Sequence, residues 1–326
     1  MPRERSSSLP AVDYIKSAAI LAVLVQHAVP AFFDRPWTPT EKTVFGIISF
    51  HVPTFLFISG FLSHAEKTVS WGGIGTRLLR IVPPYLVATA VAWAFGFVEL
   101  PTLRRLVFVI VTGAALAHYY FVPMLILCVL MLPVLSRMST SLLVGAVLLI
   151  LVGAEWMWVT PAWRLGYDLF WLVRNPVLQF HLGFFLLGVI AARVRPTLED
   201  LGTERRFLVM ATAAFAVVVL PWAGSVNEMI FHPGMRALYT LSVMALIAAA
   251  VPRGPAPAWI RFLSEGTFTI YLYHWFAFYA LLRLVNPGPP AVRVLVLTFV
   301  GLAFSTSVVL LGQRALGARS RLVLGT

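Results

Sequence analysis

Apolar runs long enough to cross a lipid bilayer recur from one end of this chain to the other. They fall at 13–33, 44–63, 82–98, 120–136, 141–159, 176–194, 207–223, 236–251, 267–286 and 293–313. About 20 apolar residues, rising ~1.5 Å each, cover the hydrocarbon core as an α-helix. In lipid only helices and closed barrels satisfy all their backbone polar groups, and these runs lack the alternating pattern of a membrane barrel. The sequence therefore specifies an all-α, polytopic integral membrane helical bundle. Composition agrees: 60% of the 326 residues are hydrophobic, 12% are charged and the mean hydropathy is +0.87. A soluble domain carries about 25% charged residues.

A further run, 105–118, holds only a short apolar stretch (LVFVIVTGAALA), which is brief for a span. Loop charge decides its role. The most basic connections are 64–80 (Lys67, Arg77, Arg80), 193–206 (Arg193, Arg195, Arg205, Arg206) and the tail (Arg314, Arg319, Arg321). The positive-inside bias puts all of them in the cytoplasm, with Arg3 and Arg5, only if 105–118 does not cross. The expectation is ten transmembrane helices plus one short re-entrant or tilted segment, with both termini cytoplasmic. That places 16 Lys and Arg inside and 9 outside. The same bias accounts for the net charge of +12, and no basic patch interleaved with aromatics lies on a polar background. Nucleic acid is thereby excluded as a partner, and membrane lipids are expected. The single cysteine, Cys128, allows no intrachain disulfide. Residues 1–33 also share features of a signal peptide. The run nevertheless continues through Phe32 and Phe33 and contains polar residues, so it is read as a retained first span.

Ionisable groups inside membrane spans cost several kcal/mol unless paired or wetted, so each is a site candidate. Lys16 and His27 are 11 residues apart, a separation that returns to within about 20° of one helix face over ~16 Å of axis. Asp13, one turn before Lys16, can pair with it. An imidazole titrates near neutrality and can take a proton from a hydroxyl; a snorkelling Lys and a His bonded to a neighbouring helix would look the same. The second span (HVPTFLFISGFL) carries His51, Pro53, Ser59 and Gly60. These residues fit helix packing through small side chains as well as a role for Ser59. In the connection RLLRIVPPY, Arg77 and Arg80 lie one turn apart just before a span. Two such cations suit a phosphate-rich ligand as well as topology. Later candidates are Tyr120 beside His118 and Tyr119, His181 among glycines, and Glu265, Tyr271 and His274 around the ninth span.

Taken in order, these motifs resemble the acyltransferase-3 family of membrane proteins, from Asp13 to His274. The family's first-helix signature is a basic residue, ten positions, then a histidine, here Lys16 and His27. HVPTFLFISGFL resembles its second-helix motif, RLLRIVPPY its Arg-x-x-Arg loop and TIYLYH its late Tyr-Leu-x-His motif. Lys16 replaces the usual Arg, as in what resembles a sugar O-acetylase branch, and it cannot offer a guanidinium fork.

The resemblance implies a membrane acyltransferase domain over 13–316, flanked by cytoplasmic tails at 1–12 and 317–326. It implies transfer of an acyl group other than aminoacyl, acetyl above all, from cytoplasmic acetyl-CoA or another acyl-CoA, with no metal. The acceptor would be a hydroxyl of a sugar or lipid-linked glycan, and the setting the inner (cytoplasmic) membrane. His27 would be the general base or carry the acyl group, with Ser59 and His274 orienting the thioester or stabilising its oxyanion. Arg77 and Arg80 would hold CoA phosphates, and Lys16 would guide the pantetheine arm. Asp13, His51, Tyr120 and Tyr271 complete the candidate set. The alternative is a multi-span transporter or exporter lined by the same polar residues, which would need no CoA.

Overall fold

The computed structural model describes residues 9–29, 46–64, 69, 71–99, 102–159, 176–200, 211–212, 214–215, 233–251, 254–284 and 289–325. Among the described residues there is no strand. The helices are α1 (Pro10–Ala28), α2 (His51–His64), α3 (Trp71–Ala94), α4 (Leu103–Thr112), α5 (Phe121–Leu135), α6 (Thr140–Val159), α7 (Pro176–Asp200), α8 (Pro233–Ala250), α9 (Ala258–Leu284), α10 (Pro290–Leu316) and a terminal turn, α11 (Ser320–Val323). They form two compact units. One comprises Met1–Phe55, Gly202–Phe231 and Met235–Val309; the other comprises Leu56–Leu201, His232–Gly234 and Leu310–Thr326.

In the first unit α1 packs against α9. Proline in the first turn presets the entry of α1, and Asp13 there complements the helix dipole. Its buried residues Asp13, Ser17, Ile20, Leu24 and His27 recur at three- and four-residue spacing, which is one helix face. Apolar contact alone drives little association in lipid, so cross-helix hydrogen bonds of about 1 kcal/mol each help to set the partner and register. Ser17 Oγ donates to the Ile260 carbonyl at 2.9 Å, and Ser264 Oγ donates to Asp13 Oδ1 at 2.7 Å. Further along both helices His27 meets His274, so α1 and α9 run parallel.

In the second unit α6 packs on α7 and α3 on α5. Two glycines bring α2 and α7 into backbone contact. A Cβ on Gly60 would overlap the Phe185 carbonyl oxygen, and one on Gly188 would overlap that of Phe57. The segment expected at 105–118 contains α4, whose ten residues measure about 15 Å, half of a bilayer core. Thr102 caps its start, accepting from Arg105 N at 3.2 Å, and Gly113 ends it at φ 75°. A helix that stops at this depth leaves carbonyls without intrahelical donors. The Tyr85 hydroxyl donates to one of these, Ile110 O at 2.9 Å, and approaches Val109 O at 3.3 Å.

The exposed surface is apolar. Leu295, Phe299 and Leu311 of α10 and Leu142, Leu148, Leu149, Val152 and Trp156 of α6 are all exposed. Water does not tolerate so large a patch; lipid does. Among the described residues three helices are long and apolar enough to cross a membrane: Pro10–Ala28, Gly46–Ser63 and Pro290–Val323. Two sequence boundaries are corrected. Residues 71–80 are helical, which puts Arg77 and Arg80 on α3 and not in a loop, and α7 continues to Asp200 through Arg193 and Arg195. Arginine is a good helix former, so the end of an apolar run marks a polarity boundary, whereas the helix itself continues. The run at 207–223 lies almost wholly outside the described residues.

Candidate functional site

The parallel α1–α9 seam ends in two imidazoles. His27 Nδ1 lies 2.9 Å from His274 Nε2, with 5.1 Å between ring centroids and 8° between planes, so the two rings meet edge to edge in nearly one plane. His274 is fully buried and His27 is 8% exposed. Trp275 meets His27 edge-on at 5.2 Å, Phe278 meets His274 edge-on at 5.4 Å, and Tyr271 lies 6.4 Å from His274. Aromatic walls therefore hold both rings at fixed angles.

The hydrogen bonds assign the tautomers. His274 Nδ1 lies 3.1 Å from the carbonyl oxygen of Ile270, which can only accept. A neutral His274 therefore carries its proton on Nδ1 and presents Nε2 as acceptor. The proton between the rings then belongs to His27 Nδ1, and the lone pair of His27 sits on Nε2. That arrangement is the one a general base or nucleophile needs, with its ring aimed by a partner that accepts from the opposite nitrogen.

Nearer the start of the seam, Asp13 and Ser264 are buried and bonded to each other. The expected Asp13–Lys16 pair is replaced by this cross-helix bond, because Asp13 faces α9. Its influence on the half-buried Lys16 is electrostatic and is shared with Glu265. His51 opens α2, and its Nδ1 lies 2.7 Å from the carbonyl of Ile48. Arg236 Nη2 donates to Ser49 O at 3.2 Å and the Tyr239 hydroxyl to Ile47 O at 2.6 Å, so the first turns of α8 grip the 47–49 turn. His51 lies within electrostatic range of both Arg236 and His274. By sequence alone Arg236 is one more outer cation, and Glu265 stands out over its neighbour Ser264. In the structure Ser264 is buried and Glu265 exposed.

Asp13, Lys16, His27, His51, Tyr271 and His274 thus belong to the first unit, and Ser59, Arg77, Arg80 and Tyr120 to the second. Ser59 is half-buried on α2 beside the Gly60 contact. Arg77 Nη2 donates to Ser63 O at 3.2 Å near the end of α2, and Arg80 is exposed. Tyr120 precedes α5 and stacks on His181 at 6.4 Å. Among the described residues no group of three His, Cys, Asp or Glu converges to hold a metal ion.

Residues 9–310 match the acyltransferase-3 family model, described as an acyltransferase domain. The chain belongs to the acyltransferase-3 family. The match takes in the whole α1–α9 seam, so both imidazoles are part of the acyltransferase domain. No curated protein and no solved structure matches the chain. The family and the apolar helices make this acyltransferase a membrane protein.

Proposed function

We propose that this acyltransferase moves an acyl group, acetyl above all, from cytoplasmic acyl-CoA to a hydroxyl of a sugar or lipid-linked glycan, with His27 as general base. The observation that carries the reading is the ordered pair His27–His274, whose hydrogen bonds leave the basic lone pair on His27 Nε2. His27 accepts the proton of the acceptor hydroxyl, and the oxygen attacks the thioester carbonyl. The carbon–sulfur bond breaks, and the imidazolium returns its proton to the departing CoA sulfur, so protons balance. While charged, His27 keeps Nδ1–H on His274. Ser59 is proposed to steady the oxyanion that forms in between, the usual task of a fixed hydroxyl donor. Arg77 and Arg80 would take the CoA phosphates and Lys16 the pantetheine arm, in a protein of the inner membrane.

The parallel run of α1 and α9 supports the count of ten spans, and loop charge is what puts both termini in the cytoplasm. Parallel helices require an odd number of crossings between them, and seven runs lie between the first and the ninth when 105–118 is left out. Counting that segment would make the two antiparallel. The half-length α4 and its Tyr85 bond favour the same reading.

The test is thiol release from acetyl-CoA by protein purified in detergent with a glycan acceptor. His27→Gln keeps polar contacts but cannot act as the base, so turnover should fall by about 10²–10⁴. CoA affinity and melting temperature should stay near the parent's. A stable His27→Gln protein that turns over normally would remove His27 from the chemistry.

A further inference from the structure

The end of the chain is docked, although its sequence reads as a tail. After α10 the backbone turns through Gly317 at φ 52° and the short helical turn Gly317–Arg319. α11 then packs against α3. Ser320 faces inward at 3% exposure, and Leu324 lies against Gly312, where a Cβ would overlap its Cδ1. With Ser320 turned in, its neighbours Arg319 and Arg321 are exposed.

The helix that receives this turn is the one bearing Arg77 and Arg80. Arg77 is half-buried, and its Nη2 donates to the Ser63 carbonyl near the end of α2. Beside it Gly72 and Gly75 are exposed, and a Cβ on Gly75 would have nothing within 4 Å. Among the described residues, the side of α3 at Gly75 is therefore open to a ligand. Under the topology proposed above, the start of α3 and the end of the chain share the cytoplasmic face.

We propose that Arg319 and Arg321 complete the site for the phosphates of the acyl donor, so that α11 is part of the donor site. This inference rests on the reading of Arg77 and Arg80 as donor ligands. An acyl-CoA presents a pyrophosphate and a separate ribose phosphate. A guanidinium pairs with a phosphate through a two-pronged fork, so two residues cannot serve all of these groups. Arg319 and Arg321 lie on a turn anchored by Ser320 and Leu324, and they bring two more forks to the same helix. Anionic lipid headgroups offer the same phosphate chemistry and are the other possible source.

The test is titration of the full-length protein with CoA and with dephospho-CoA, first in neutral detergent and then in nanodiscs containing phosphatidylglycerol. R319Q/R321Q should weaken CoA binding about 3- to 30-fold in neutral detergent, the range for two solvent-exposed charged contacts. R319K/R321K should recover part of that loss, and Arg314→Gln should change nothing. The loss should be smaller for dephospho-CoA. Unchanged CoA affinity in R319Q/R321Q overturns the proposal if R77Q/R80Q still weakens binding. If neither pair matters, the donor reading itself falls. Loss of a phosphatidylglycerol-dependent rise in melting temperature, with CoA binding intact, would assign the tail arginines to lipid and also overturn it.

Discussion

Replacing His274 by Phe isolates its hydrogen bond from its packing. Phenylalanine retains a ring that fills the place beside His27 and meets Phe278 edge-on, as His274 does at 5.4 Å. It removes Nε2, which accepts the His27 Nδ1 proton across 2.9 Å, and it removes the bond to Ile270 O. Two costs follow. In the resting protein the buried His27 N–H loses its acceptor, worth about 1–3 kcal/mol of stability. In the transition state His27 is positively charged, and a hydrogen bond from a charged group contributes about 1.5–3 kcal/mol. Only the excess over a neutral bond's about 0.5–1.5 kcal/mol slows the reaction, about 1–1.5 kcal/mol, so turnover should fall roughly 5- to 12-fold. His274→Gln retains a carbonyl oxygen able to accept from Nδ1–H and should regain part of that loss. The assay is steady-state thiol release from acetyl-CoA, with CoA affinity measured alongside and expected to stay constant. His274→Phe turning over within twofold of the parent would refute the tautomer argument. Equal inactivity in His274→Phe and His27→Gln would refute the magnitude, since one lost hydrogen bond should cost less than the lost base.

Gly60→Ala and Gly188→Ala should each lower the melting temperature, because each methyl overlaps a carbonyl of the facing helix; overpacking of this kind costs about 1–3 kcal/mol. Gly75→Ala on α3 has open space around it, so its melting temperature in the same scan should stay at the parent value or rise. Arg193 donates to the carbonyls of Met138, Leu135 and Ser136 at 2.6, 2.9 and 3.3 Å, closing the end of α5. Arg193→Ala should therefore destabilise by about 2–4 kcal/mol, and Arg193→Lys should rescue little, because an ammonium cannot span several carbonyls. Full stability in the lysine variant would mean that the fork is irrelevant.

The sequence carries some of this site plainly. Helical periodicity alone puts Lys16 and His27 near one face, and the hydropathy runs delimit the bundle. The partner of that face is a different matter. His27 and His274 are 247 residues apart, and no local pattern reports which of many apolar helices will meet, because in lipid most apolar faces look alike. A one-residue rotation error has the same origin: Glu265 draws the eye as the charged group, yet Ser264, 100° around the helix, is the one that reaches Asp13. The charges of Arg77 and Arg80 interrupt the apolar run and so read as a loop, whereas the backbone of α3 responds to propensity. Arg236 carries no signature of its own, since its role is set by the carbonyl of Ser49 in the distant turn before α2.

The parallel seam also sets a timetable for synthesis. Its first helix leaves the ribosome with Asp13, Ser17 and His27 already in place, but each is bonded to α9. The 247 residues between the two histidines take roughly 12 to 50 s to translate at ~5–20 residues per second. During that interval α1 carries polar groups that the bilayer interior penalises. The nascent helix must therefore be sheltered by the insertion machinery or by water at the membrane edge. Any chain that stops before α9 lacks the helix that supplies these three partners.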